Sequence, residues 1–515
     1  MPTRRHGLFG VTTALGLACG GMVLADQPLS AIDWLSQSLV SNSTGGALGE
    51  PPVSAYGVQT DTVTVQPLQA DSVDGLGILP PAVTGLPRNL WGTDSVADIA
   101  TLLSQDNGQD LPALQSELLT LLLANSEPPQ GSLIGETLFL ARVDKLLAIG
   151  ALDQARALLD TAGATRSPEI FRRFFDVALL IGDEDHACQA LKSAPGLAPA
   201  LPTRIFCLAR AGDFDTAKLT LDTARALQTV SPEEGALLTR FMEPELDDTG
   251  ITPIMPTPVT PLIFRIYEAI GEPLPDTALP IAFTYADLSE NAGWKAQLEA
   301  VERLSRMGSV APNMLLGLYT QQKPAASGGV WDRVAAFQDF DAAVSAKDQS
   351  AVEATLPQVW AKMTEAGLEV PFATLYGQDL SHFSLSDDAA SLAFQVMLLS
   401  PDYESLTQIY APKDPQQAFL LALARGSLQG VPAPDPLDAA IAAAFVAPVL
   451  PQTLQAQLDQ GRIGQAILSA MTQMRQGEAG DLRAVTEGLS TLRHLGLEDV
   501  ARRSALQLVL LKRQL

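Results

Sequence analysis

The chain has 515 residues, 58 acidic against 33 basic, a net charge of −25, and 47% hydrophobic, 6% aromatic and 18% charged residues. Such a composition buries a large core and is incompatible with wholesale disorder. The acidity argues against a nucleic-acid partner and against docking on anionic lipid, and beyond the first 25 positions no uncharged apolar run of 18 residues predicts a membrane span.

Met1 to Ala25 reads as an export signal. Arg4 and Arg5 form the charged region, Leu8 to Ala18 the apolar region, and Val23-Leu24-Ala25 precedes Asp26 as a small-residue cleavage site. The expected mature chain begins at Asp26, and losing the two arginines takes its net charge from −25 to −27. Two variants are weaker: a twin-arginine reading of residues 3–9, and a lipoprotein box ending at Cys19, which has Gly16 where leucine is wanted. Periplasmic export is the favoured destination, ahead of an outer-membrane lipoprotein or a secreted protein.

Residues 26–94 read as an amphipathic helix followed by a flexible linker. Between Asp26 and Gln130 there are 12 acids and one base, Arg88. Leu29, Ile32, Trp34, Leu35, Leu39 and Val40 fall on a helical spacing, either as a docking peptide for a partner groove or as a helix folded back on the body. Residues 41–87 are rich in Gly, Ser, Thr, Val and Pro, and predict a tether with a coil reach of roughly 35–40 Å.

Helical repeats are expected over 95–250 and 451–515, with a less regular helical middle over 251–450. Five glycines are each followed five residues later by alanine: Gly150 and Ala155, Gly182 and Ala187, Gly212 and Ala217, Gly461 and Ala466, Gly496 and Ala501. Glycine ends one helix in a left-handed cap at no steric cost, and the small alanine lets the next helix pack closely. Neither helix buries its apolar stripe alone, so pairs must stack. On this Gly–Ala pattern, over 131–227 and about 452–515, the chain resembles the tetratricopeptide and related helical-repeat families. The Trp and Tyr positions of the tetratricopeptide pattern and its regular proline are missing. The resemblance implies an all-α fold, a right-handed α-solenoid of stacked antiparallel helix pairs, holding a protein or peptide partner on its concave face.

Catalytic patterns are sparse. The histidines are His6, His186, His382 and His494, none spaced for zinc with another, and no nucleophile elbow, Walker loop or dinucleotide fingerprint occurs. No catalytic residue, metal or cofactor is expected. The loop from Pro324 to Gly329 has two readings: an anion site at a helix N-terminus, or a plain start capped by Ser327 with Trp331 packed inside. Export opens an oxidising compartment, and Cys188 and Cys207 lie equidistant from the Gly196–Ala198 turn of a helical hairpin. A disulfide between them is slightly favoured over two reduced, buried thiols.

The expected function is an adaptor or assembly factor of a cell envelope. The alternative is a periplasmic enzyme with a superhelical body acting on cell-wall glycan. Periplasmic lytic transglycosylases are similar in having a signal followed by a long helical superhelix, with a Glu-Ser pair supplying the general acid. Glu404-Ser405 is the only such pair downstream of the first repeats and lacks the family's surroundings, so that resemblance stops at the superhelix.

Overall fold

The computed structural model describes residues 72–105, 111–130, 132, 135–243, 254–408 and 410–511. The signal with its Ala25–Asp26 cleavage point, Cys19, the amphipathic stretch 28–40 and the tether up to residue 71 lie outside the described residues.

The fold is all-α. The first helices are α1 (Pro81–Thr84), α2 (Val96–Gln105), α3 (Pro112–Leu123), α4 (Thr137–Ala148), α5 (Leu152–Ala162), α6 (Pro168–Ile181), α7 (Glu184–Ser193), α8 (Leu201–Arg210), α9 (Phe214–Ala226), α10 (Pro232–Met242) and α11 (Pro261–Ala269). A 3₁₀ stretch, Ile281–Leu288, leads to α12 (Trp294–Arg306), α13 (Pro312–Gln321), α14 (Val330–Ser345), α15 (Gln349–Ala366), α16 (Glu369–Leu380), α17 (Asp387–Leu399) and α18 (Tyr403–Leu406). The last are α19 (Pro415–Ala424), α20 (Pro436–Val446), α21 (Gln452–Asp459), α22 (Ile463–Glu478), α23 (Leu482–His494) and α24 (Glu498–Leu510).

One joint geometry recurs between consecutive helices. A residue with positive φ ends the first helix, and the next N–H bonds the carbonyl five residues back, as in Asp183 N to Ala178 O at 2.8 Å and Asp213 N to Leu208 O at 3.0 Å. This is the 6→1 bond of the Schellman motif, which satisfies a helix-end carbonyl. The residue five positions after the left-handed one opens the second helix and is fully buried. Gly150 with Ala155, Gly182 with Ala187, Gly212 with Ala217, Gly461 with Ala466 and Gly496 with Ala501 all have this arrangement. So do Lys347 with Val352, Gly367 with Phe372, and Gly480 with Val485.

Lys347 stands exposed at φ 54°, where a Cβ is strained. A left-handed conformation costs an ordinary residue roughly 1–2 kcal/mol, and glycine returns roughly 0.5–1 kcal/mol of that through its freer unfolded chain. Lys347→Gly is therefore expected to stabilise the protein by roughly 0.5–1 kcal/mol. The check is a higher urea midpoint at unchanged m-value; a lower midpoint refutes it.

The chain closes on itself. Contacts run from α3 to α4, through Ile281–Leu288 to α12, then α13, α16, α17 and α24, and from α24 back to α3. Helix α2 also packs on α22. An open solenoid keeps its two ends apart, because each unit touches only its neighbours. Helix pairs stack locally, and α3 near the start of the described residues meets α24 at their end.

The reason lies in 72–94, expected to be linker but packed into the body. Val73, Leu86, Leu90 and Trp91 are buried. The Trp91 ring lies where a Cβ on Gly464 would stand, 2.4 Å from it, so only glycine leaves room there. Gly464 N donates to Leu90 O at 2.8 Å, Asp94 pairs with Arg462 at 3.3 Å, and Ala113 N donates to Gln507 Oε1 at 2.9 Å. At the segment's start, Leu79 N donates to Leu123 O at 3.0 Å and Asn125 N to Leu79 O at 2.8 Å, making the isolated parallel bridge of Leu79 with Ala124. Arg142, fully buried, donates to four carbonyls: Leu122 (2.7 Å), Ala124 (2.9 Å), Leu76 (2.6 Å) and Asp74 (3.4 Å). The tether reading therefore fails from Ser72 onward.

Candidate functional site

Two helices that start with Asp-Pro frame a large cleft. Asp414 and Asp435 are N-caps, accepting from Gln417 N and Asp438 N, each at 2.8 Å, and Pro415 and Pro436 open α19 and α20. Proline fits there because the first helical N–H has no partner in any case. Both aspartates stand on the rim of the cleft, which has a volume of about 1050 Å³ and lies between α17, α19, α20, α22, α23 and α24.

The floor of this cleft is apolar, with Phe394 and Leu420 buried, Leu437 and Leu508 partly open and Leu482 exposed. Gln395, Gln416 and Gln417 bring amides to its wall. The Gln417 carbonyl oxygen accepts from Lys413 N at 3.0 Å, and its NH₂ group makes no hydrogen bond to any of the described residues. The Gln395 side chain makes no hydrogen bond to any of the described residues. Behind the rim, Asp438 is fully buried. Burial, and then the neighbouring Asp435 charge, push its carboxyl up to about 6 against the pull of the Gln416 amide.

A second cleft, of about 900 Å³, lies on the hairpin of α7 and α8. Cys188 and Cys207 are joined there by a disulfide with a Cα separation of 5.2 Å. Lys192, Arg204 and Arg210 share its wall with Asp185 and Asp213, and Arg210 pairs with Asp185 at 2.7 Å. Closing a loop with a sequence separation of 19 stabilises a fold by about 3 kcal/mol on the entropy model. Reductant is accordingly expected to lower the melting temperature by several degrees, while leaving that of a Cys188→Ala, Cys207→Ala variant unchanged. Equal shifts in both proteins would refute it.

The remaining sequence candidates do not converge. Helix α14 starts after Gly329, not at a Ser327 cap, and Gly328 N donates to Asp332 Oδ1 at 2.8 Å, so the chain's own carboxylate fills that helix start. Trp331 packs on Trp294 with ring centroids 5.2 Å apart. Glu404 is tied to Arg502 at 3.1 Å, and Ser405 Oγ donates to Asp402 O. His186 lies between Arg156 (2.7 Å) and Asp183 (3.2 Å). His382 and His494 are not fully buried. Among the described residues no three His, Cys, Asp or Glu side chains gather as a metal site, and no helix is long and apolar enough to cross a membrane.

The rim and floor of the large cleft carry no motif in the sequence. Their one local signal is the repeated Asp-Pro, which marks helix starts rather than a site.

What the fold and clefts define is an all-α protein of paired helices, compatible with a helical-repeat fold. Comparison with protein-family models, with curated proteins and with solved structures returns no match.

Proposed function

We propose that the chain is an exported binding protein, an adaptor or assembly factor of a cell envelope, related in design to tetratricopeptide-like helical repeats. The observation that carries this reading is the large cleft, with its apolar floor, its amide wall and its two rim carboxylates. Its volume of about 1050 Å³ lies at the top of the range for small-molecule pockets, roughly 300–1,000 Å³, and accommodates a segment of another chain. We place the partner surface at this cleft. Export rests on the charged, apolar and small-residue order of the first 25 residues, and the paired cysteines agree with it.

The test is crosslinking in an envelope extract. A photoreactive residue at Gln417, on the cleft wall, is compared with one at Leu219, exposed on α9. The expected result is a discrete protein adduct from position 417 and none from 219. The same adducts from both positions, or none from 417, would overturn the reading. The glycan-enzyme alternative draws no support from Glu404-Ser405, since Arg502 holds the carboxylate.

A further inference from the structure

We infer that the large cleft takes an extended peptide segment carrying a lysine or arginine beside a leucine-like residue. This inference rests on the proposed binding function and narrows it to one ligand chemistry. It starts from the charges. Asp414 and Asp435 stand exposed in the lining of the cleft, and among the described residues no lysine or arginine lines it. Asp414 and Asp435 sit at helix N-termini, where the dipole supplies roughly half a positive charge each, so each rim position keeps a net negative charge that faces the opening. Asp438 is buried beside Asp435, to whose carboxylate its N–H donates at 2.8 Å. The chain as a whole carries −25, so an acidic segment meets repulsion at long range as well as at the rim.

The remaining wall explains why the occupant is a peptide rather than a lone amine. Phe394, Leu420, Leu437 and Leu482 offer a floor that a small hydrophilic cation leaves unused. Gln395 keeps both its donors and its acceptor uncommitted, and Gln417 keeps its donors. An amide offers both a donor and an acceptor, which matches the N–H and C=O of an extended backbone. The cationic side chain thus sits at the rim between Asp414 and Asp435, and its apolar neighbour on the floor.

The experiment is an anisotropy titration of the oxidised full chain with three labelled synthetic peptides of equal length. One alternates leucine with lysine, one leucine with glutamate, and one glycine with lysine. The expected order places the leucine–lysine peptide first, by roughly tenfold over either other at low salt, with its lead shrinking as salt rises. A paired Asp414→Asn and Asp435→Asn variant keeps both helix caps, because asparagine caps as well as aspartate. It is expected to lose roughly tenfold in affinity for the leucine–lysine peptide at an unchanged melting temperature. A Leu482→Gln variant weakens the same peptide and leaves the glycine–lysine peptide unchanged. Equal binding of all three peptides, or an Asn variant that binds the lysine peptide as well as the parent, overturns the inference. A crosslinked partner at position 417 together with that negative result refutes the ligand chemistry alone. No crosslink from 417 refutes the binding function itself.

Discussion

Replacing Arg142 by alanine is expected to destabilise the protein by about 3–5 kcal/mol, the range for breaking a buried charged interaction. The guanidinium is fully buried, and burial pulls its pKa down to about 10 against the support of Asp74, so it is charged at neutral pH. It holds the ends of two segments together: the Leu122 and Ala124 carbonyls at the end of α3, and the Leu76 and Asp74 carbonyls of the incoming chain. Removing it leaves buried carbonyls without donors, each costing about 1–3 kcal/mol. Urea unfolding measures the loss. Arg142→Lys is expected to recover little, because an ammonium cannot reproduce the planar fork that reaches both segments. A lysine variant as stable as the parent would show that charge alone, and not the fork, is what the site needs.

Stability is expected to fall as pH rises from about 4.5 to about 7, with Glu117 as a principal cause. Glu117 lies on α3, which packs against α24, and burial followed by the Asp499 charge pushes its carboxyl up to about 7. Asp499 in turn accepts from the Tyr403 hydroxyl at 3.1 Å and lies 3.7 Å from Arg503. The folded state therefore holds the Glu117 proton more tightly than the unfolded chain does. Its contribution is complete below the unfolded pKa and disappears as pH rises through the folded one. A shift from 4.5 to about 7 corresponds to about 3 kcal/mol across that window. Asp94, pushed up to about 6 by burial at the other closing contact, acts in the same direction. Unfolding measured between pH 4.5 and 8 checks this. Glu117→Gln should flatten the profile and raise stability at pH 8; a variant whose profile runs parallel to that of the parent would refute the assignment.

The helical joints explain how far the sequence could be read. Where glycine and alanine occupy the two key positions, as at Gly182 and Ala187, the pair stands out of the chain. The same backbone geometry at Lys347 and Val352, or at Gly367 and Phe372, carries no such mark, because a larger buried residue fills the second position. That is why the middle of the chain looks irregular in sequence. Residues 72–94 are illegible for another reason. Val73, Leu86, Leu90 and Trp91 enter the core singly, from turns and short helical pieces, and leave no helical period to read. The cleft is hidden because its parts come from α17, α19, α20, α22, α23 and α24, which tertiary packing alone assembles. Cys188 and Cys207 are readable as neighbours because a hairpin pairs residues equidistant from its turn.

The meeting of α3 with α24 also sets an order of events during folding. The bond from Ala113 N to Gln507 joins residues 394 apart. On the polymer estimate, closing so long a loop costs roughly 5 kcal/mol of chain entropy, which intervening structure must first reduce. Helical hairpins are local and form early, whereas this contact awaits the last helix. A chain that emerges from its amino end therefore exposes Leu90 and Trp91 until Gly464 and α24 arrive. During synthesis that apolar strip is open to aggregation, and a chaperone that shields it would act on the nascent protein at this point.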